Sequence, residues 1–89
     1  MVNIRLEEPE TARMKRKILE YVAFRVSKGK SPSYKEIAKH CEYPSVGSLA
    51  MHYIRPLIED GWLTYRPRRP RSLKPTRPWW QYPIPDDTD

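Results

Sequence analysis

Between Ser33 and Gly61 the chain carries, in order, the start and stop signals of two consecutive helices. Ser33 and Glu36 have the S-x-x-E spacing of a capping box, in which each side chain accepts a hydrogen bond from a backbone N–H at the helix start. That helix is predicted to run to about Cys41, and Pro44 stops any continuation, because proline has no N–H to donate and its ring clashes with the preceding turn. Ser45 is a favourable N-cap for a second helix, and Gly61 supplies the left-handed residue that follows a helix end. The stretch therefore predicts two helices joined by a short turn.

The second of these helices, predicted over about 45–59, divides its side chains between two faces at about 100° per residue. The apolar face consists of Val46, Leu49, Ala50, Tyr53 and Leu57, with Ile54 at its margin. The outward face consists of Ser48, Met51, His52 and Arg55, and it contains no carboxylate before Glu59. Such a polar and basic face favours approach to a polyanion.

Pro56 is irregular within this helix. It cannot donate to the carbonyl of His52, and a proline in a regular helix interior costs about 3 kcal/mol. The sequence predicts a kink or an altered last turn between Tyr53 and Glu59.

A longer helix precedes the pair. The Glu-Pro-Glu run at 8–10 suits a helix entry, since proline fits the first turn and acids interact favourably with the positive end of the dipole. Apolar residues recur at helical spacing as far as Val26, and Gly29 ends the helix. Residues 1–10 are predicted to be a flexible acidic leader.

A small basic hairpin is predicted after Gly61. Residues 62–66 (WLTYR) have strand composition, 67–70 (PRRP) form a turn with two arginines at its tip, and 71–74 (RSLK) return as the partner strand. An isolated hairpin of this length is marginal in water, so we expect it to pack on the helices through Trp62 and Leu63.

Residues 75–89 are rich in proline and tryptophan, and they are predicted to form an extended tail. The Trp79–Tyr82 segment has three readings. It folds back over the small core or stays disordered, it docks as a peptide on another protein, or its aromatic rings stack on single-stranded bases.

Length and charge narrow the class of protein. The chain has 89 residues, enough for one small domain, and a net charge of +6, which favours nucleic acid as the partner and anionic membrane second. No apolar run approaches the length of a membrane span, so a membrane is not an expected partner. The lone Cys41 excludes an internal disulfide framework, and the expected compartment is the cytoplasm.

These features predict a mainly α fold with a small β-hairpin: a winged helix-turn-helix, with three helices plus a wing, over residues 11–74. Small residues at the start of the second motif helix permit close approach to DNA. The predicted mode places that helix in the major groove and the basic wing on the backbone or minor groove. An ordinary helical hairpin in a small core is the alternative.

The chain also resembles a known family. The segments ILEYV (18–22), SPSYKEIA (31–38), YPSVGS (43–48), IRPLIEDGWL (54–63) and RPRRPRSL (66–73) resemble the N-terminal DNA-binding domain of LexA-type repressors. The resemblance covers roughly residues 11–74. It implies a three-helix winged domain, sequence-specific binding to duplex DNA and a role in transcriptional repression, in a prokaryotic or phage-encoded protein associated with the nucleoid.

Two departures from the family limit what is carried over. The run from Ser45 to Gly61 is one residue longer than the usual recognition helix, and Pro56 stands where an ordinary helix former is expected, so the register of the reading residues is open by one position. Nothing corresponds to the family's self-cleaving, dimerising domain, so self-cleavage is not implied.

Fourteen residues are predicted to contact DNA. The second motif helix contributes residues that face bases or adjacent phosphates: Ser45, Gly47, Ser48, Met51, His52 and Arg55. The start of the first motif helix contributes residues that hold a phosphate: Ser33, Tyr34 and Lys35. The wing contributes residues that neutralise backbone charge or enter the minor groove: Arg66, Arg68, Arg69, Arg71 and Lys74.

No catalytic, cofactor or metal site is predicted. His40, Cys41 and His52 lack the ligand spacing of a structural zinc site, and a buried Cys41 thiol is expected instead. No nucleophile elbow or phosphate-cradling glycine loop occurs, so an enzyme is not expected.

The expected partner is double-stranded DNA, bound in a regulatory role, with a homodimer on DNA as a further expectation. Two alternatives remain: a protein-interaction adaptor that uses the winged fold as a scaffold and docks a partner through Trp79–Tyr82, and a binder of single-stranded nucleic acid.

Overall fold

The computed structural model describes residues 8–69 and 71–84. The predictions for residues 1–7 and 85–89 lie outside this part of the chain. Helix α1 spans Pro9–Ser27 and α2 spans Tyr34–His40. A continuous helical run follows, made of α3 (Val46–Leu49), a π-helical segment (Ala50–Ile54) and α4 (Arg55–Glu59). Strands β1 (Leu63–Thr64) and β2 (Lys74–Pro75) form an antiparallel pair, and a 3-10 turn occupies Trp79–Gln81.

The helix ends predicted from local chemistry are confirmed. Pro9 begins α1, and Gly29 follows it in the left-handed conformation with φ 92°. At α2, the Ser33 hydroxyl accepts from the Glu36 N–H (3.1 Å) and the Glu36 carboxylate accepts from the Ser33 N–H (3.0 Å), which completes the capping box. Gly61, with φ 83°, follows α4.

The helical run from Val46 to Glu59 contains a π turn. The N–H of Arg55 donates to the carbonyl of Ala50, five residues back instead of four. The irregularity predicted between Tyr53 and Glu59 therefore begins earlier, and residues 55–59 form regular α-helix. Pro56 is the second residue of α4 and follows the π turn directly, so the residue without an N–H stands where the regular hydrogen-bond pattern has already changed.

The π turn changes which side chains enter the core. Leu49 and Ile54 are both fully buried, although five residues separate them, and Leu57 follows at normal helical spacing. Ile54 was predicted at the margin of the apolar face and is inside the core instead. Val46, predicted on that face, is 38% exposed. The cause is the extra residue in the turn, which rotates the faces on its two sides relative to each other.

The hairpin strands are shorter than predicted and displaced. The register pairs Leu63 with Pro75 and Thr64 with Lys74, whereas the predicted return strand was 71–74. Arg71 has φ 60°, a left-handed conformation that an extended strand excludes, so pairing begins only at Lys74. The connecting loop consequently runs from residue 65 to residue 73.

The core lies where α1, α2, the helical run and the hairpin meet. Its fully or nearly fully buried apolar side chains include Ile18, Leu19, Val22, Ile37, Leu49, Ile54, Leu57, Leu63 and Leu73. Cys41 is buried as predicted, and burial raises the pKa of its thiol.

The described part of the predicted tail packs on this core. Tyr82 is 6% exposed, and its ring meets Trp62 edge to face at 5.1 Å between centroids. Trp79 is partly buried, with the Arg16 guanidinium 5.3 Å from its ring centroid. Residues 79–82 therefore follow the core-covering reading, except that Trp80 remains 59% exposed. The predicted domain ended at residue 74, but residues 79–82 pack on the same core as the helices and the hairpin.

Within the described ranges, no helix combines the length and the apolar character needed to cross a bilayer.

Candidate nucleic-acid interface

Two neighbouring clefts share a pair of tyrosines. One cleft, of about 420 Å³, lies between the start of α2 and the loop 65–73. The other, of about 530 Å³, lies along the helical run. Tyr34 of α2 and Tyr65 at the start of the loop line both clefts, so the two form one continuous surface. Burial raises the pKa of Tyr34, and the nearby Tyr65 hydroxyl raises it further.

The helical side of this surface presents one edge of the run. Gly47, Met51 and Arg55 line the second cleft at intervals of four residues. Met51 is 61% exposed, so its apolar side chain is accessible on this edge. Arg55 lies 3.5 Å from Glu59, but both side chains are largely exposed, so this pair is weak and leaves the guanidinium accessible.

Not every predicted helix residue shares this edge. The Ser45 hydroxyl accepts a hydrogen bond from the Ser48 N–H (3.2 Å) and caps the helical run. His52 is exposed, but neither His52 nor Ser48 lines either of the two clefts. Of the six helix residues predicted to contact DNA, Gly47, Met51 and Arg55 therefore line the second cleft.

The loop side of the surface carries exposed arginines. Arg66, Arg68 and Arg69 line the first cleft. The Arg69 N–H donates to the Arg66 carbonyl (3.1 Å), and Pro67 and Arg68 occupy the two central positions of this turn. Arg68 has φ 67°, at a position where glycine is the usual residue.

Ser72 closes the base of the turn. Its hydroxyl accepts from the Arg66 N–H (2.8 Å) and lies within hydrogen-bond distance of the carbonyls of Arg69 (2.7 Å) and Arg66 (3.2 Å). The backbone pairing of β1 and β2 does not extend into the loop, and the Ser72 side chain supplies hydrogen bonds there instead.

Arg71 differs from its neighbours because it is paired. Its guanidinium donates to both carboxylate oxygens of Glu36, at 2.8 and 3.2 Å. Arg25 of α1 lies 3.4 Å from the same carboxylate and donates to the Tyr21 hydroxyl (2.7 Å). The bonds from Arg71, then the Ser33 N–H, and the charge of Arg25 lower the Glu36 pKa to about 2.

The predicted phosphate site at the start of α2 is also partly occupied. The Ser33 hydroxyl and N–H are both engaged with Glu36, because the capping box uses them. Tyr34 contributes to the shared surface, while Lys35 is exposed and lines neither cleft. Lys74 is exposed within β2 and also lies outside the clefts.

Sequence reasoning missed two residues of this region. Tyr65 was assigned only to a strand, although an aromatic residue beside a run of arginines is a recognised signal for nucleic-acid contact. Glu36 was assigned only to its capping box, and no local signal indicates its pairing with Arg71, 35 residues later in the chain.

Comparison of the chain with protein-family models, curated proteins and solved structures finds no match. Among residues 8–69 and 71–84, no three His, Cys, Asp or Glu side chains form a group suited to a metal ion.

Proposed function

We propose that the protein binds duplex DNA sequence-specifically as a winged helix-turn-helix regulator of transcription. The edge of the helical run enters the major groove, and the arginines of the loop 65–73 contact the phosphate backbone or the adjacent minor groove.

The observation that carries this proposal is the shared tyrosine pair. Because Tyr34 and Tyr65 line both clefts, the helix edge and the arginine loop belong to one surface. A single duplex can therefore meet both at the same time. An arrangement with the loop on the opposite side of the molecule would not support this function.

The chemistry of the helix edge suits base reading. Gly47 has no side chain to hold the backbone away from the groove. The space where a Cβ would stand is open, with no atom of the protein within 4 Å apart from its chain neighbours and the helix backbone. Arg55 has the planar donor pair that reads guanine N7 and O6, and the exposed Met51 offers an apolar contact of the kind that suits a thymine methyl group.

The experiment that tests the proposal is selection from a random duplex pool at about 150 mM salt, where screening suppresses non-specific binding. We expect a defined sequence to emerge, and a palindrome would indicate a dimer. Arg55→Ala should weaken binding to that sequence by about 1–3 kcal/mol and relax preference at one base pair. Enrichment of no sequence would overturn the proposal.

An adaptor function is the second candidate, favoured by the exposed Trp80. Its indole borders a separate cleft of about 400 Å³ that also includes Ala23, Pro75, Arg77 and Pro78. Exposed aromatics between prolines are typical of peptide-recognition surfaces. Trp80→Ala should leave selected-duplex binding unchanged if the DNA proposal holds, whereas an unselective wild-type protein would favour the adaptor.

A further inference from the structure

We infer that Glu36, although acidic, strengthens DNA binding, because it positions the arginine loop through Arg71 and Arg71 itself is not a DNA contact. This inference rests on the proposed function and distinguishes, within one loop, the arginines that contact DNA from the one that holds the loop in place.

Glu36 is the point where three parts of the molecule meet. Its carboxylate accepts hydrogen bonds from the Ser33 N–H at the start of α2 and from the two Nη nitrogens of Arg71 in the loop. The same carboxylate lies 3.4 Å from Arg25 of α1. A two-point contact between a planar guanidinium and a carboxylate fixes orientation as well as distance. Arg71 Nη1 also lies 3.5 Å from the Ser31 carbonyl, a marginal contact on the same side.

The position of Arg71 in the chain extends this effect to the rest of the loop. Arg71 immediately precedes Ser72, whose hydroxyl bonds the backbone of Arg66 and Arg69. Holding Arg71 against Glu36 therefore also holds the turn that presents Arg68. The left-handed φ of 60° at Arg71 also turns the chain at this residue instead of continuing an extended strand.

Besides Ser72 and the buried Leu73 near its end, the loop is supported by a short strand pair. Only two residue pairs of β1 and β2 form the ladder beneath it, and short ladders of this kind are marginal on their own. A loop free to move must lose that freedom when it binds DNA, which weakens binding about two- to tenfold for each side chain immobilised on binding. A preordered loop avoids part of this loss.

The direction in which affinity changes when the Glu36 charge is removed tests the inference. Glu36→Gln removes a negative charge from a DNA-facing region, so electrostatics alone predicts tighter binding. It keeps the capping box, because glutamine serves at that position as glutamate does. If Glu36 positions the loop, affinity for the selected duplex should instead fall about two- to tenfold, the range that corresponds to ordering one side chain. Glu20→Gln, at an exposed position of α1, is the matched charge control and should bind as well as wild type or better.

The salt dependence separates the two kinds of arginine. Arg71→Ala should lower affinity by a similar factor at every salt concentration, with the slope of log K against log salt unchanged. Arg68→Ala should lower affinity and also reduce that slope by about 0.9, the value for one lost phosphate contact. Exchange of the Arg66 N–H should accelerate in Arg71→Ala, because the turn it closes is no longer held.

Circular dichroism at the assay temperature establishes that each variant is folded. Binding by Glu36→Gln that equals or exceeds that of wild type would overturn the inference, and so would a reduced salt slope for Arg71→Ala. Failure of the wild-type protein to bind any duplex selectively would instead overturn the proposed function, so the two failures are distinguishable.

Discussion

Two arginines in one loop show how differently the same side chain is used. Arg68 and Arg71 both adopt left-handed backbone conformations, with φ 67° and 60°. Arg71 is paired with Glu36 through two hydrogen bonds, whereas Arg68 is exposed and lines the first cleft. The strain at Arg71 is therefore offset by contacts within the protein. The conformation of Arg68 is held by the turn around it, through the Arg69–Arg66 backbone hydrogen bond and Ser72, and the Arg68 guanidinium stays exposed.

The largest expected effect concerns the exposed Arg68 and its neighbour Arg69. Arg68→Ala combined with Arg69→Ala should reduce affinity for the selected duplex about thirtyfold at 0.15 M salt if each arginine neutralises one phosphate. The slope of log K against log salt should fall by about 1.8. Titration at several salt concentrations measures both quantities. An unchanged slope would show that these arginines do not contact phosphates.

Arg68→Gly separates stability from binding. Glycine adopts positive φ without the steric penalty of a side chain, so the variant should be more stable by about 1 kcal/mol. For a domain of this size that corresponds to a melting temperature about 4–8 °C higher. Its DNA affinity should fall, because the guanidinium is lost. A variant that gains stability without losing affinity would remove Arg68 from the interface.

Glu42→Gly is the matched control for this effect. Glu42 has φ 56° just after α2, where the Tyr43 N–H donates to the Ala38 carbonyl (2.9 Å). Glycine should stabilise this helix end by about 0.5–1 kcal/mol, because it is the preferred residue there. DNA affinity should change little, since Glu42 lines neither cleft of the interface. Thermal unfolding and duplex titration of the same sample check both expectations.

The ion pair between Arg71 and Glu36 predicts a dependence of stability on pH. The Glu36 pKa is about 2 in the folded protein, below its ordinary value of 4.5. A lowered folded-state pKa means that the ion pair contributes fully above about pH 4.5 and loses its contribution as the pH falls toward 2. Because Glu36 is partly exposed, water and salt screen the pair, and this is the smallest of the expected effects.

Urea unfolding of wild type and Glu36→Gln between pH 2 and pH 6 isolates this contribution. The difference in unfolding free energy between the two proteins should be largest above pH 4.5 and should narrow as the pH is lowered. A constant difference across this interval would mean that Glu36 titrates normally in the folded state.

Local chemistry accounts for the helix boundaries. Ser33 and Glu36 are three residues apart, and Gly29 and Gly61 each act on the helix turn just before them, so their roles are contained within a few residues of sequence. The same holds for the general fold class, mainly helical with a small antiparallel hairpin, because periodicity and turn residues indicate each element separately.

The π turn shows where this reasoning ends. Pro56 indicated an irregular helix, but the choice between a kink and an extra residue in the turn depends on which side chains the core accepts. Burying Ile54 together with Leu49 and Leu57 requires a spacing of five at one step, and this in turn leaves Val46 exposed. Only the shape of the surrounding core selects that register.

The amino-acid sequence by itself determined the helix caps, the basic charge and the presence of an arginine-rich loop after the last helix, because each depends on neighbouring residues or on composition. The tertiary structure alone decided that Tyr34 and Tyr65 join the helix edge to the loop, and that Glu36 holds Arg71 but not Arg68. Both results depend on contacts between residues about 30 or more positions apart, and such contacts form only when the whole chain packs around a common core.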